Sequence, residues 1–338
     1  MDIEKKLLRR SSLEKLITDM RSDGKIVYAP KKQNTQVVFD AIDTLAEMTE
    51  DYIVTNQSPK SVAFPKIEKL LDYEITQFWV TSEGIDTSRF PETVVLGSRP
   101  CDAAGFDSLT AIFNWDYKDT LYNERLKKTF FIGMSCAQKD DYCFCTSVNG
   151  NPGSTRGSDI LLTKINDGDY LAEIITEKGK ELAGKYAALF EADPNVDKEK
   201  FLAEVPVKFN TDTVVQKATA MFEHPIWMEQ SLRCIGCGAC AYVCPTCACF
   251  DIQDEAAVSK GNRVRCWDSC GFGLFTLHTS GHNPREVQSQ RWRQRVLHKF
   301  SYMPDRLDVV GCVGCGRCSR ACPVDMNLSE HLVNIAEA

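Results

Sequence analysis

One cysteine pattern, Cys-x2-Cys-x2-Cys-x3-Cys-Pro, occurs twice in this chain and constrains its fold more than any other feature. The first copy consists of Cys234, Cys237, Cys240, Cys244 and Pro245. The second copy consists of Cys312, Cys315, Cys318, Cys322 and Pro323. Cysteines separated by two residues in a tight loop can point at one small volume. The three-residue spacing before the fourth cysteine leads into a helix. The pattern therefore predicts thiolate groups that converge on inorganic clusters.

In bacterial ferredoxins with this spacing, the last cysteine of each run binds the cluster of the other run. We therefore expect two 4Fe-4S clusters with exchanged fourth ligands. The first cluster is predicted to be held by Cys234, Cys237, Cys240 and Cys322. The second is predicted to be held by Cys312, Cys315, Cys318 and Cys244. Zinc sites usually join two separated pairs of ligands, and disulfides are rare in cytosolic chains, so both alternatives fit less well.

Composition and charge exclude several classes of function. The 338 residues carry a formal net charge of −7, which argues against nucleic acid as a partner because phosphate binding needs a basic surface. We find no apolar stretch of membrane length and no signal peptide. Sixteen cysteines without an export signal predict a reducing compartment, the cytoplasm, with thiols that bind metal. The segment from Gly236 to Ala241 matches a dinucleotide fingerprint formally, but no strand is predicted before it.

The chain divides by its sequence pattern into two parts. Residues 1–220 alternate β-branched and aromatic runs with amphipathic segments, which predicts an α/β domain with a mixed sheet. Residues 221–338 contain both cysteine runs, so an elaborated 2×4Fe-4S ferredoxin-like domain is expected there, with an insertion at about 246–310. Residues 205–225 are expected to form a connector between the two.

A further group of cysteines lies in the first part: Cys101, Cys136, Cys143 and Cys145. Predicted strands at 93–96 and 129–132 each lead through a glycine to one of these cysteines. A crossover helix between the strands would make them parallel and bring Cys101 and Cys136 to the same carboxyl edge, where α/β sheets bind ligands. We therefore predict a third cluster, 4Fe-4S, at these four thiols. A zinc site or buried thiols are the alternatives.

The remaining cysteines lie in the insertion: Cys247, Cys249, Cys266 and Cys270. One interpretation is a fourth iron–sulfur site, 2Fe-2S or 4Fe-4S, and the other is a set of packing thiols beside the ferredoxin core. The basic stretch 291–299 is interpreted as a solvated helix face or an intrachain anchor. If it binds a partner, complementary charge favours an acidic subunit. His278 and His282 are interpreted as part of a turn rather than a metal site.

Short motifs along nearly the whole chain resemble one known family. In the first part these are Ser58-Pro59-Lys60, Arg99-Pro100-Cys101-Asp102 and Cys143-Phe144-Cys145. In the second part they are Cys244-Pro245-Thr246-Cys247, Trp267-Asp268-Ser269-Cys270, Arg293-Gln294-Arg295 and His298-Lys299-Phe300. Together with the cysteine runs, they resemble the β subunits of cytoplasmic NAD(P)-linked NiFe hydrogenases (sulfhydrogenases) and the A-type subunits of anaerobic sulfite reductases.

The resemblance implies an iron–sulfur electron-transfer subunit of a soluble oxidoreductase complex. Such a chain would relay electrons between a catalytic subunit of hydrogenase or sulfite-reductase type and a flavin- and NAD(P)H-binding reductase subunit. Its cysteines would be ligands, so no catalytic residue is expected. A second hypothesis is a redox enzyme with a site-differentiated cluster in the N-terminal domain that binds substrate or flavin. A third hypothesis is a scaffold that depends on zinc.

Overall fold

The computed structural model describes residues 3–338, in which the strands form two sheets. The strands are β1 (Glu4–Leu8), β2 (Ile26–Gln33), β3 (Gln36–Ala41), β4 (Ile67–Ile75), β5 (Val80–Gly84), β6 (Thr93–Ser98), β7 (Thr129–Met134), β8 (Ile160–Lys164), β9 (Tyr170–Ile174), β10 (Phe190–Glu191), β11 (Phe250–Ala257) and β12 (Lys260–Trp267). The α-helices are α1 (Arg10–Ser22), α2 (Pro100–Phe113), α3 (Thr120–Lys127), α4 (Glu177–Lys185), α5 (Thr211–Ala220), α6 (Ile226–Ser231), α7 (Ala239–Tyr242), α8 (Gln288–Leu297), α9 (Met303–Leu307), α10 (Arg317–Arg320) and α11 (Leu328–Glu337). A π-helix, His298–Tyr302, joins α8 to α9.

The larger sheet is mixed, as the sequence predicts, and has the strand order β10-β1-β9-β8-β7-β6-β2-β3. Strands β2, β6, β7 and β8 are parallel to one another, and the outer pairs are antiparallel. Both β6 and β7 are buried over their full length, which explains their continuous apolar sequences. Helices α2 and α3 connect β6 to β7, so the predicted parallel crossover unit is confirmed.

The second sheet has the order β11-β12-β4-β5 and draws strands from both halves of the sequence. Strand β4 pairs antiparallel with β12, with Glu68 opposite Arg265. The side chains of these two residues form a buried ion pair. This sheet joins segments from both sides of residue 220. The division of the chain into two domains at that residue stays a prediction.

A helical core surrounds the second cysteine run. Buried side chains from α5, α6, α8 and α11 meet there, among them Val214, Trp227, Val296 and Leu332. The segment 205–225, expected to connect the two parts, contains α5, and its role as a connector stays a prediction. The Asn210 side chain caps that helix by accepting a hydrogen bond from the Thr213 amide at 3.0 Å.

Candidate metal centres

The first three cysteines of the first run surround a cavity together with the last cysteine of the second run. The thiols that line it are those of Cys234, Cys237, Cys240 and Cys322, with Cys318 beside them. Gly236 and Gly238 turn the loop with φ of 69° and 75°, a conformation that glycine adopts without steric cost. The structure therefore brings together the four residues that the exchange of fourth ligands predicts.

Several N–H groups point at the sulfurs of these runs. The Gln288 side-chain amide donates to Cys234 Sγ at 3.0 Å. The backbone amide of Met326 donates to Cys322 Sγ at 3.3 Å. Hydrogen bonds to sulfur are one of the features that set the potential of an iron–sulfur cluster, so the donors fit such a group.

The second cavity is lined by the thiols of Cys244, Cys312, Cys315 and Cys318. Because Cys318 lines both cavities, the two groups share a wall. Burial raises the pKa of Cys312 to about 12 and that of Cys315 to about 11. Metal binding at these thiols must therefore displace their protons.

The third group lies at the carboxyl edge of the larger sheet. Cys101 is in the first turn of α2, directly after β6, and Cys136 follows the parallel strand β7. Burial raises the pKa of Cys136 to about 11, Arg99 opposes this rise, and the nearby Cys143 adds to it. Burial, with Cys136 and Cys143 as neighbours, raises the pKa of Cys145 to about 12. Cys136 also acts on the Cys101 thiol, so all four thiols lie close together, as predicted. That they bind a cluster stays a prediction.

The second cysteine run packs directly on the loop of the third group. A Cβ atom on Gly314, which has a φ of 63°, would lie 2.5 Å from the Cα of Cys145. A Cβ on Gly316 would lie 2.4 Å from the carbonyl oxygen of Tyr142. The Phe144 amide donates to the Gly314 carbonyl at 2.9 Å. Only glycine permits this close approach between the two groups.

A buried ion pair also joins the two groups. Arg317 and Asp102 are 1% and 0% exposed, and Arg317 Nη1 lies 2.7 Å from Asp102 Oδ1. The thiols of Cys315 and Cys101 both lie near this pair, since the charge of each acts on Arg317. The Asp102 carboxylate also accepts a hydrogen bond from the Arg99 amide at 3.2 Å and so caps the start of α2.

The last four cysteines do not all meet. Cys249 and Cys270 line one cavity, the Cys249 thiol lowers the pKa of Cys270, and Cys247 is a close neighbour of Cys249. Cys266 instead lies on β12, opposite Asp251 of β11, and the side chains that act on its thiol are Glu255 and Asp251. The structure thus brings together three of the four cysteines predicted for a fourth site and leaves Cys266 apart.

Three buried cations near these thiols were not predicted. Arg295 and Lys299 are 4% and 3% exposed, so the interpretation of 291–299 as a solvated face is wrong for them, and they serve as intrachain anchors. Lys60 is also buried, and its Nζ donates to the Cys247 carbonyl at 2.8 Å. Their positions in the family motifs were the available signal, but burial of a cation depends on tertiary contacts that one sequence does not reveal.

Three further observations concern the histidine pair, single-metal sites and membrane-spanning helices. His278 and His282 lie in a turn, in which the His278 amide donates to the His282 carbonyl, as expected. Within residues 3–338, no three His, Cys, Asp or Glu side chains are arranged to hold a single metal ion. In the part of the chain that the structure describes, no helix combines the length and the apolar character needed to cross a membrane.

Comparison with known proteins first defines the class. A family model described as a 4Fe-4S dicluster domain matches residues 233–326, the segment that contains both cysteine runs. Sulfhydrogenase 2 subunit beta of Pyrococcus furiosus is 30% identical over 325 residues, which cover 92% of each chain. The chain therefore belongs to the family of sulfhydrogenase β subunits.

Proposed function

We propose that this chain is an iron–sulfur electron-transfer subunit of a multi-subunit oxidoreductase. The observation that carries the proposal is the contiguity of three thiol groups. Cys318 lines both ferredoxin-run cavities, and Gly314 of the second run packs against Cys145 of the third group. Bound 4Fe-4S clusters would accept and donate single electrons at these three positions.

The chain's own residues would bind these clusters and set their reduction potentials. The thiolates act as ligands rather than nucleophiles, and the surrounding core limits the access of water. Lys299 Nζ lies 3.5 Å from Cys244 Sγ, and a buried cation at this position favours the more negative, reduced state of the neighbouring group. The hydrogen bonds that Gln288 and Met326 donate to sulfur act in the same direction.

The partners belong to the same proposal. The related protein from Pyrococcus furiosus is named as a β subunit, which supports assembly with other chains. We infer a flavin- and NAD(P)H-binding reductase subunit on one side and a catalytic subunit of hydrogenase or sulfite-reductase type on the other. The cytoplasm is the proposed location, since the thiols must stay reduced to bind metal.

The test uses the full chain isolated anaerobically with the subunits that copurify with it. Addition of NAD(P)H, followed by freezing at successive times, should produce the electron paramagnetic resonance (EPR) signals of reduced clusters before the catalytic partner is reduced. Cys315→Ser should slow the second step, whereas Cys266→Ser, which changes a thiol outside the three groups, should not. Turnover with all clusters remaining oxidised would contradict the proposal.

A second candidate function has one specific observation in its favour. A cavity of about 200 Å³ opens beside the third group, lined by Cys101, Cys145, Asn149, Asn151 and Arg156 among others. A site-differentiated cluster there could bind a substrate or a flavin. This candidate predicts that sulfite, NAD(P)H or free flavin changes the EPR spectrum of the reduced chain without partners. Unchanged spectra with all three would contradict it.

A further inference from the structure

Three buried cations lie beside the end of the first cysteine run and the thiols that follow it. Arg295 Nη1 lies 3.6 Å from Cys247 Sγ, and its Nη2 donates to the Cys240 carbonyl at 3.0 Å. Lys299 Nζ contacts Cys244 Sγ and donates to Thr246 Oγ1 at 2.9 Å. Lys60 Nζ lies 4.1 Å from the centroid of the Trp267 ring. Across residues 3–338, no carboxylate forms an ion pair with any of the three.

Burying a cation without a compensating anion strongly destabilises the folded protein. Anionic groups are therefore expected beside these side chains. The acidic groups whose charge acts on these cations are thiols. For Arg295 they are Cys240, Cys247, Cys318 and Cys270. For Lys299 they are Cys244, Cys247 and Cys312. Those that act on Lys60 are Cys247, Cys244 and Cys249. Some of these belong to the two proposed ferredoxin clusters, but Cys247, Cys249 and Cys270 do not. The charge balance therefore favours an anionic group at these three thiols as well.

The three thiols form one group. Cys249 and Cys270 line one cavity, and Cys247, two residues before Cys249, lies close to it and to Cys244. Arg295 Nη1 lies 3.6 Å from Cys247 Sγ, and the charge of the same guanidinium acts on the Cys270 thiol. Three soft thiolates suit an iron–sulfur cluster, and Cys270 also faces Cys240 of the first run. A cluster at this group would therefore adjoin the first of the proposed clusters.

A fourth ligand is available at the mouth of the site. Cys249 and Cys270 line an open cavity together with Gln294 and His298. His298 is the first residue of the π-helix, a rare element that is frequently found at functional sites. The side chain of His298 is exposed at this opening, and imidazole nitrogen is an accepted ligand of iron–sulfur centres alongside cysteine.

We propose that Cys247, Cys249 and Cys270 hold a further 4Fe-4S cluster and that the imidazole of His298 is its fourth ligand. Cys266 takes no part in this site. Histidine in place of cysteine raises the potential of an iron–sulfur centre. This cluster therefore accepts electrons at a more positive potential than the three all-cysteine clusters, which makes it an electron-accepting branch beside the first ferredoxin cluster.

The first experiment counts metal in the full chain, purified anaerobically. The wild type should contain iron and acid-labile sulfide for four clusters, and Cys249→Ser and Cys270→Ser should each lose about a quarter of both. Cys266→Ser, the matched control from the same segment, should lose none. Iron contents of the Cys249 and Cys270 variants equal to that of Cys266→Ser would overturn the proposal. So would zinc at one atom per chain in the wild type.

The second experiment needs no variant of a cysteine and so does not depend on how those variants fold. The wild type labelled with 15N-histidine, reduced and measured by pulsed EPR, should show a strongly coupled 15N nucleus, and His298→Ala should lose it. His282→Ala, in an exposed turn, should keep it. Absence of the coupling in the wild type would overturn the role of His298. The signals of the three all-cysteine clusters report on the proposed electron relay independently, so a failure here is distinguishable from a failure of that function.

Discussion

Replacing Asp102 with asparagine would test whether the buried ion pair holds the third thiol group against the second cysteine run. Asparagine keeps the shape of the side chain and can still accept the hydrogen bond from the Arg99 amide, so the change isolates the charge. Arg317 would then remain buried with hydrogen bonds to Thr55 at 2.8 and 3.0 Å but without its carboxylate. Removing one partner of a buried pair costs about 3–5 kcal/mol.

This cost translates into a measurable shift of the melting temperature. Each kcal/mol corresponds to roughly 2 °C or slightly less in a chain of this length, so Asp102→Asn should melt about 5–10 °C below the wild type. The assay is circular dichroism of anaerobic protein at one fixed scan rate, since loss of a cluster makes unfolding irreversible. Asp107→Asn is the matched control, because Asp107 pairs with Arg156 at 2.6 Å with both side chains about half exposed. An exposed pair contributes at most about 1 kcal/mol.

The double variant Asp102→Asn/Arg317→Met completes the cycle. Removing both charges leaves no uncompensated ion, so the double variant should recover most of the loss seen in either single variant. Equal shifts in Asp102→Asn and Asp107→Asn would show that the buried pair contributes no more than an exposed one. A double variant whose shift equals the sum of the two single shifts would show that the two charges do not act as a pair.

Three further predictions concern packing, charge and pH. Gly314→Ala should cost about 1–3 kcal/mol more than Gly281→Ala, because both glycines have positive φ but no atom lies within 4 Å of a Cβ built at Gly281; equal melting temperatures would contradict this. Lys299→Met should lower the midpoint potential of the second cluster by on the order of 60 mV, about 1.4 kcal/mol for one electron, and an unchanged potential, as expected for the exposed Lys180→Met, would contradict it. Burial lowers the pKa of His331 to about 4, below the ordinary value near 6.5. The unfolded chain therefore binds more protons between those pH values, and stability falls as the pH is lowered through this window. His331→Leu should lessen the fall, and a fall as large as in the wild type would count against this assignment.

The parallel unit that carries the third thiol group was predictable because its signals are local. Buried β-branched and aromatic runs mark β6 and β7, and the intervening segment is long enough for a crossover helix. The positions of Cys101 and Cys136 follow from the geometry of parallel strands. The grouping of the two ferredoxin runs was predictable for a similar reason, since the spacing itself dictates which thiols can meet.

The second sheet and the buried cations were not predictable in this way. Strand β11 is exposed along its length, so it lacks the apolar alternation that marks a strand in sequence, and β12 pairs with β4, which lies far from it along the chain. Arg295 and Lys299 occupy a basic stretch that resembles a solvated helix. They are buried against Cys240, Cys244 and Cys247, which lie about 50 residues earlier in the chain.

Quantification of metal and acid-labile sulfide in the full chain, isolated without oxygen, is the decisive test of whether the thiol groups hold iron–sulfur clusters. Iron and sulfide should be present in about equal amounts, at least about twelve atoms of each per chain for three clusters. Cys322→Ser should lower the iron content, whereas Cys266→Ser should leave it unchanged. Zinc in place of iron, with no acid-labile sulfide, would contradict the assignment of these thiols to an electron relay.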